Sequence, residues 1–261
     1  MFSIICVYNE DTKLNEFLLK SIREQDADYE LILINNTNNS YPSAAAALNA
    51  GGKRVNGDYL IFAHQDIELD SPHWLRDAET IISHLPNFGI AGVAGKKSGA
   101  GVITNIKHGF PPHSAGKFQI KEPIEVQTLD ECLIIIPQEV YNKLQFDERT
   151  CTDWHLYAVD YCLSTQKMGY RTLVLPLSCY HQSTGSSSGS LSKGYFSTLE
   201  KLQRKHHMNY KVIYTTMGNW HMAIPVGFQK TRVWRVIFLI CEKILFIRGQ
   251  RKGTIIEDMK E

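Results

Sequence analysis

The sequence contains no C-x-x-C pair, and its six cysteines, Cys6, Cys132, Cys151, Cys162, Cys179 and Cys241, fall at irregular intervals. That leaves neither a disulfide framework nor a zinc knuckle to read, and it suits small core hydrophobes in a reducing compartment. A surplus of charge is also missing. Lys+Arg 28 against Asp+Glu 27 give a net charge of +1, so no global basic field favours nucleic acid, and none is expected as a partner. An anionic ligand would have to be met by local groups. No basic leader with an apolar core precedes the β-rich run at Ser3, which predicts a cytoplasmic protein. Nor is there a clean run of the ~20 apolar residues that a membrane span needs. The most apolar stretch, RVWRVIFLICEKILFIR at 232–248, is broken by Arg235, Glu242 and Lys243.

What is present is an alternation of strand and helix signals. SIICVY (3–8) reads as a first strand. Leu14, Phe17, Leu18 and Ile22 then share one helical face, and ELILIN (30–35) is the near-continuous apolar run of a strand buried on both sides. A polar loop at 36–40 leads to an alanine-rich helix over 43–50 closed by Gly51-Gly52, then to a strand at 58–63. A helix over 72–85 and a strand over 89–95 complete a half of 1–95. This order predicts a doubly wound, mostly parallel α/β sheet whose first half binds a nucleotide. Residues 96–123 read as a mobile or irregular insertion. A buried strand at 133–136, a helix at 154–168 and the strand RTLVLPLSCY follow, and STGSSSGSLSKG reads as a flexible polar segment. The division expected is 1–190 (halves 1–95 and 96–190) with a helical extension over 191–261.

The stretch DYLIFAHQDIELD (58–70) carries the strongest chemical signal, because an apolar strand runs directly into His64, Gln65 and Asp66. In an open α/β sheet the carboxyl ends of the strands line the ligand crevice. A carboxylate there suits a hard divalent cation or a phosphate site. Asp70 or Ser71 before Pro72 reads instead as a helix cap.

SIICVYNE, LILINN, AALNAG, GDYLIFAHQD, the F-D-E at 146–148, VDYCLSTQKMGY and SCYHQSTGS stand in this order over residues 1–190. Together they resemble the signposts of family 2 glycosyltransferases with the GT-A fold, in a form similar to the bacterial surface-polysaccharide branch. The resemblance implies inverting transfer of a sugar from a nucleotide-diphosphate donor to a saccharide or lipid-linked acceptor, with Mn²⁺ or Mg²⁺ as cofactor. It implies Asp66 and His181 as metal ligands, with His64 standing where the family's first metal aspartate would be. Tyr8, Asn9, Asn35, Asn49, His64 and Gln65 would hold the donor. Asn35 replaces the aspartate that usually reads the base. For the catalytic base the resemblance points to Asp160, then Asp153 and His155, although Ala158 stands where the family carries its acid. These departures motivate one rival, a sugar- or nucleotide-binding protein without catalysis; a second is a sugar-phosphate nucleotidyltransferase, whose fold is similar at the nucleotide half but which would want a glycine-rich loop with a basic residue where YNEDTK stands. The basic, aromatic stretch at 232–252 reads as an interfacial helix at the membrane face, a homodimer contact or a docked C-terminal helix.

Overall fold

The computed structural model describes residues 1–182, 191–231 and 234. Along the chain, β1 (Phe2–Tyr8) leads into α1 (Asp11–Leu14), a π-turn (Asn15–Leu19) and α2 (Lys20–Arg23). Then come β2 (Tyr29–Asn35), α3 (Ala44–Gly52), β3 (Tyr59–Ala63), β4 (Ile67–Leu69), α4 (Trp74–Ser83) and β5 (Phe88–Gly92). Six short strands follow: β6 (Ala94–Lys96), β7 (Ile103–Thr104), β8 (Lys107–His108), β9 (His113–Ser114), β10 (Ile124–Glu125) and β11 (Thr128–Leu129). β12 (Leu133–Pro137), α5 (Gln138–Lys143), α6 (Tyr157–Lys167), β13 (Arg171–Val174) and β14 (Cys179–His181) come next. The last elements are α7 (Lys193–His206), the hairpin β15 (Val212–Thr215) and β16 (Gly218–His221), and α8 (Val226–Gln229).

A seven-stranded sheet in the order β10-β13-β5-β12-β3-β1-β2 forms the frame. β1 runs parallel to both β2 and β3, and β13 runs parallel to β5. The sheet is therefore mainly parallel and wound on both faces. One face packs Ile4, Cys6, Ile61 and Ile135 against Leu14, Leu18, Ile22 and Trp74. The other packs Ile5, Ile34, Phe62 and Ile134 against Leu48, Tyr141 and Tyr161. Alternate residues of one strand thus feed opposite cores, which is why LILI (31–34) and LIII (133–136) are apolar throughout.

Several local expectations are corrected. Gly51 and Gly52 do not close the alanine-rich helix but lie within α3, because a Cβ on Gly51 would come within 2.5 Å of Ile5 Cγ2 and one on Gly52 would collide with the Tyr141 ring. Small residues let this helix lie close on the sheet. Asp70 caps no helix; its Oδ2 accepts from Lys107 Nζ at 2.7 Å and Ser178 Oγ at 2.6 Å, while α4 begins after His73. RTLVLPLSCY is two strands rather than one. It leaves the large sheet after Val174 and re-forms as β14 in a four-stranded sheet, β4-β14-β8-β9. The 96–123 insertion contributes β7 to a three-stranded sheet, β11-β6-β7, and β8 and β9 to the four-stranded one. Residues 191–231 hold a hairpin as well as helices. Their Tyr195, Leu199, Leu202 and Trp220 share a buried cluster with Leu156, Val159 and Leu163.

Candidate active site

Two connections bring the site together at the carboxyl edge of the large sheet. β3 ends at Ala63, and the chain turns through His64, Gln65 and Asp66 into β4. β14 then pairs antiparallel with β4, setting His181 opposite Ile67, and Gln182 N–H donates to Asp66 O at 3.0 Å. Asp66 and His181 are therefore neighbours through sheet register, and their side chains meet with Oδ1 and Nε2 3.4 Å apart. The His64 and His181 rings lie 5.9 Å apart, and one ligand atom from each of His64, Asp66 and His181 lies within 4.8 Å of the other two.

Protonation favours ligation. Burial and the nearby His181 hold His64 below its ordinary value, so it is neutral near pH 7. Burial pushes Asp66 up, but the His181 hydrogen bond and the electrostatic interaction with both histidine rings offset this and leave it lowered, as a carboxylate. Two imidazole nitrogens and one carboxylate oxygen fit a divalent ion. The nitrogen-rich set suits a transition ion such as Mn²⁺ better than Mg²⁺, which prefers oxygen and its own waters.

The expected donor residues fall into two groups. Tyr8 and Asn35 are opposed at the carboxyl ends of β1 and β2, with Asn9 following Tyr8, so these line the same edge. Asn35 Oδ1 is engaged by Thr37 N and Oγ1 at 2.8 and 2.7 Å. Gln65 acts as a brace rather than a free contact. Its Oε1 accepts from Asn9 N and Glu10 N, and its Nε2 donates to Asn9 Oδ1, fixing the loop after β1 to the end of β3. Asn49 is buried and its amide is saturated: Nδ2 donates to Phe146 O and Glu148 Oε1, and Oδ1 accepts from Tyr141 Oη and Phe146 N. No hydrogen-bonding capacity is left on Asn49 for a donor, and its place is in the fold.

The expected bases lie apart from this group. Asp160 is 2% exposed, with Oδ1 2.7 Å from His206 Nε2 and Oδ2 2.7 Å from Lys205 Nζ, a network that joins α6 to α7. Asp153 sits beside the start of α7 rather than capping α6, with Oδ2 3.5 Å from Ser192 Oγ. Of the residues expected to serve as base, His155 alone lines the cleft beside the metal group. That cleft, about 390 Å³, is also bordered by His64, His181, Asp130, Glu131 and Tyr195.

Asp130 and Glu131 escaped sequence reading, although two adjacent acids directly before the apolar CLIIIP are a signal of their own. Asp130 is committed: Oδ1 accepts from Cys132 N, and Oδ2 accepts from Thr216 Oγ1 at 2.6 Å. Glu131 differs. Its Oε1 is buried without a hydrogen-bond partner among the described residues. Burial and the Asp130 charge push its carboxyl up to about 8, against the pull of the Leu156, Ala158 and Tyr157 amides at the start of α6. Those amides are aimed by a left-handed Leu156, φ 69°, a conformation that costs a non-glycine residue about 1–3 kcal/mol and so marks a held geometry. A second groove, about 990 Å³, opens on the other side of Asp66 between Phe17, Tyr180, Phe110 and Lys107.

Similar folds carry related ligands. A mannosyltransferase from Pyrobaculum calidifontis, solved with GDP-Man and Mn²⁺, superposes with a TM-score of 0.54 at 15% identity, over 80% of this chain and 65% of that one. TarS (residues 1–349) of S. aureus, solved with UDP-GlcNAc, gives 0.53 at 17% identity over 78% and 66%. GalNAc-T7, solved with UDP, GalNAc and Mn²⁺, gives 0.55 at 10% over 78% and 47%. The chain therefore spans less than two thirds of the length of each of these proteins, and at such identity the likeness establishes the GT-A fold. A sequence search of curated proteins finds no match. A family model described as "Glycosyltransferase like family" matches residues 3–195, most of the chain. With the GT-A sheet and a ligand-ready His-Asp-His group at its carboxyl edge, the chain belongs to this glycosyltransferase-like family.

Proposed function

We propose that the protein is an inverting, metal-dependent glycosyltransferase that moves a sugar from a nucleotide-diphosphate donor to an acceptor hydroxyl. The observation that carries this reading is the position of the His64–Asp66–His181 group, between the strand-end shelf of Tyr8, Asn9 and Asn35 and the acidic cleft of Asp130 and Glu131. The shelf lies where nucleotides bind on such sheets. GDP-Man, UDP-GlcNAc and UDP in the similar structures support a nucleotide-sugar donor. A divalent ion held by His64, Asp66 and His181 would supply charge neutralisation for the departing diphosphate. Gln65 keeps the loop after β1 in register with those ligands, and the Asn35 amide nitrogen, outside its Thr37 turn, can donate to a base carbonyl.

Asp160 in its ion pairs and the missing acid at Ala158 favour a second reading, a donor-binding protein without catalysis. Turnover separates the two. The first experiment is thermal unfolding with UDP and GDP, with and without Mn²⁺, since a ligand that binds only the native state at 100 times its Kd stabilises by about 2.7 kcal/mol. One nucleotide should raise Tm in an Mn²⁺-dependent way. If neither does, the donor site assigned here is wrong. The finer role proposed is surface-polysaccharide synthesis on a lipid-linked acceptor, supported by the motif resemblance and by the basic, aromatic sequence of 232–252.

A further inference from the structure

The reaction proposed above leaves a proton without a destination. An acceptor hydroxyl that attacks the anomeric carbon must lose its hydrogen, yet Asp160 is enclosed by Lys205 and His206, and Asp153 lies beside α7. A carboxylate suited to the task stands elsewhere, at the foot of β12.

We propose that Glu131 is the catalytic base, and that the acceptor hydroxyl enters the cleft between Glu131 and the His64–Asp66–His181 group. Sheet register places it there. β12 pairs antiparallel with β3, Leu133 opposite Ala63, and His64 N–H donates to Cys132 O at 2.9 Å. The residue before Cys132 is therefore carried to the end of β3 beside the metal group. Tyr157 joins the two, its hydroxyl 3.3 Å from His64 Nε2 and 3.3 Å from the Glu131 carbonyl oxygen.

The state of the side chain fits the role. Asp130 is held by Cys132 N and Thr216 Oγ1, which leaves it little freedom. Glu131 Oε1 is buried with no partner among the described residues, a cost that native structures rarely carry without a reason such as catalysis. Its raised carboxyl, near 8, brings its proton affinity close to working pH, where general-base catalysis is most efficient. In the step, a lone pair of the acceptor oxygen forms the new bond to the anomeric carbon. The bond from that carbon to the diphosphate oxygen breaks, its electron pair leaves with the diphosphate, and the hydroxyl proton passes to the Glu131 carboxylate.

This inference rests on the glycosyl-transfer reading, and the test keeps the two apart by measuring binding and turnover separately, with water as the acceptor. UDP-glucose, UDP-GlcNAc and GDP-mannose serve as probes, each with Mn²⁺. Binding is read by calorimetry and hydrolysis by release of the nucleoside diphosphate. In Glu131→Gln, hydrolysis of the sugar nucleotide that the wild type turns over should fall by about 10²-fold or more, with its Kd within about twofold of wild type and a cooperative melt retained. Glu131→Asp should recover part of the rate. Wild-type hydrolysis in Glu131→Gln would overturn the assignment, as would a parallel loss of Kd, which would make Glu131 part of the donor site. A wild type that binds none of the probes would overturn the glycosyl-transfer reading itself, and the base with it.

Discussion

At the residue scale, each side chain of the site has a separable signature. Asp66→Ala should abolish the Mn²⁺-dependent part of nucleotide affinity in calorimetry while the fold is kept, because it removes the only carboxylate of the three-residue group. His181→Ala should weaken the same affinity by about 10- to 100-fold. Unchanged Mn²⁺-dependent binding in Asp66→Ala would remove the metal site. Glu131 adds a stability effect. Its folded carboxyl is raised from 4.5 to about 8, so the native state holds a proton that the unfolded chain releases. That contribution is complete below pH 4.5 and fades as pH rises through about 8. The wild-type Tm should therefore fall relative to Glu131→Gln between pH 5 and 9. Parallel profiles would mean that Glu131 titrates normally.

At the element scale, the α6–α7 contact is held by charge as well as by apolar packing. Lys205 Nζ lies 2.7 Å from Asp160 Oδ2 and 2.8 Å from Asp147 Oδ2. Replacing it as Lys205→Met leaves Asp160 buried with only His206, and should cost about 3 kcal/mol in chemical denaturation. Asp160→Asn should lower Tm while the folded protein keeps its turnover rate. A dead but stable Asp160→Asn would return that residue to the chemistry. The sequence made β1, β2 and β3 legible because burial on both faces leaves continuous apolar runs, and His64 and Asp66 were legible because they end one of them. It did not reveal that β12 lies antiparallel between β3 and β5, since an apolar strand reads the same in either direction. Glu131 was hidden for that reason. Its chemistry arises where a strand start meets the end of β3 and the first turn of α6, a meeting that no local pattern records. Asn49 misled in the opposite sense: a polar residue at a familiar position turned out to be an internal tie between α3 and the Phe146 loop.

At the scale of the whole molecule, none of the helices among the described residues is long and apolar enough to cross a membrane. The expected interfacial segment lies outside the described residues except for Trp234, whose ring packs on His221 and Phe228 at 5.3 and 5.8 Å between centroids. If the remaining aromatic and basic positions, Phe238, Phe246, Arg248 and Arg251, meet lipid, deleting 235–261 should abolish flotation with anionic liposomes and leave donor hydrolysis intact. Equal flotation of both forms would move the contact elsewhere. The metal group has a further consequence at this scale. His64 follows a strand of the large sheet, whereas His181 belongs to the small four-stranded one, so a shared ion is a cross-link that closes a long loop of chain. Like any staple across a long loop, it removes freedom chiefly from the unfolded chain. Cofactor loading would then be part of the protein's mechanical integrity, and Mn²⁺ alone should slow amide hydrogen exchange at Ile67–Leu69 and Cys179–His181. A cell short of the ion would hold a looser enzyme as well as an idle one.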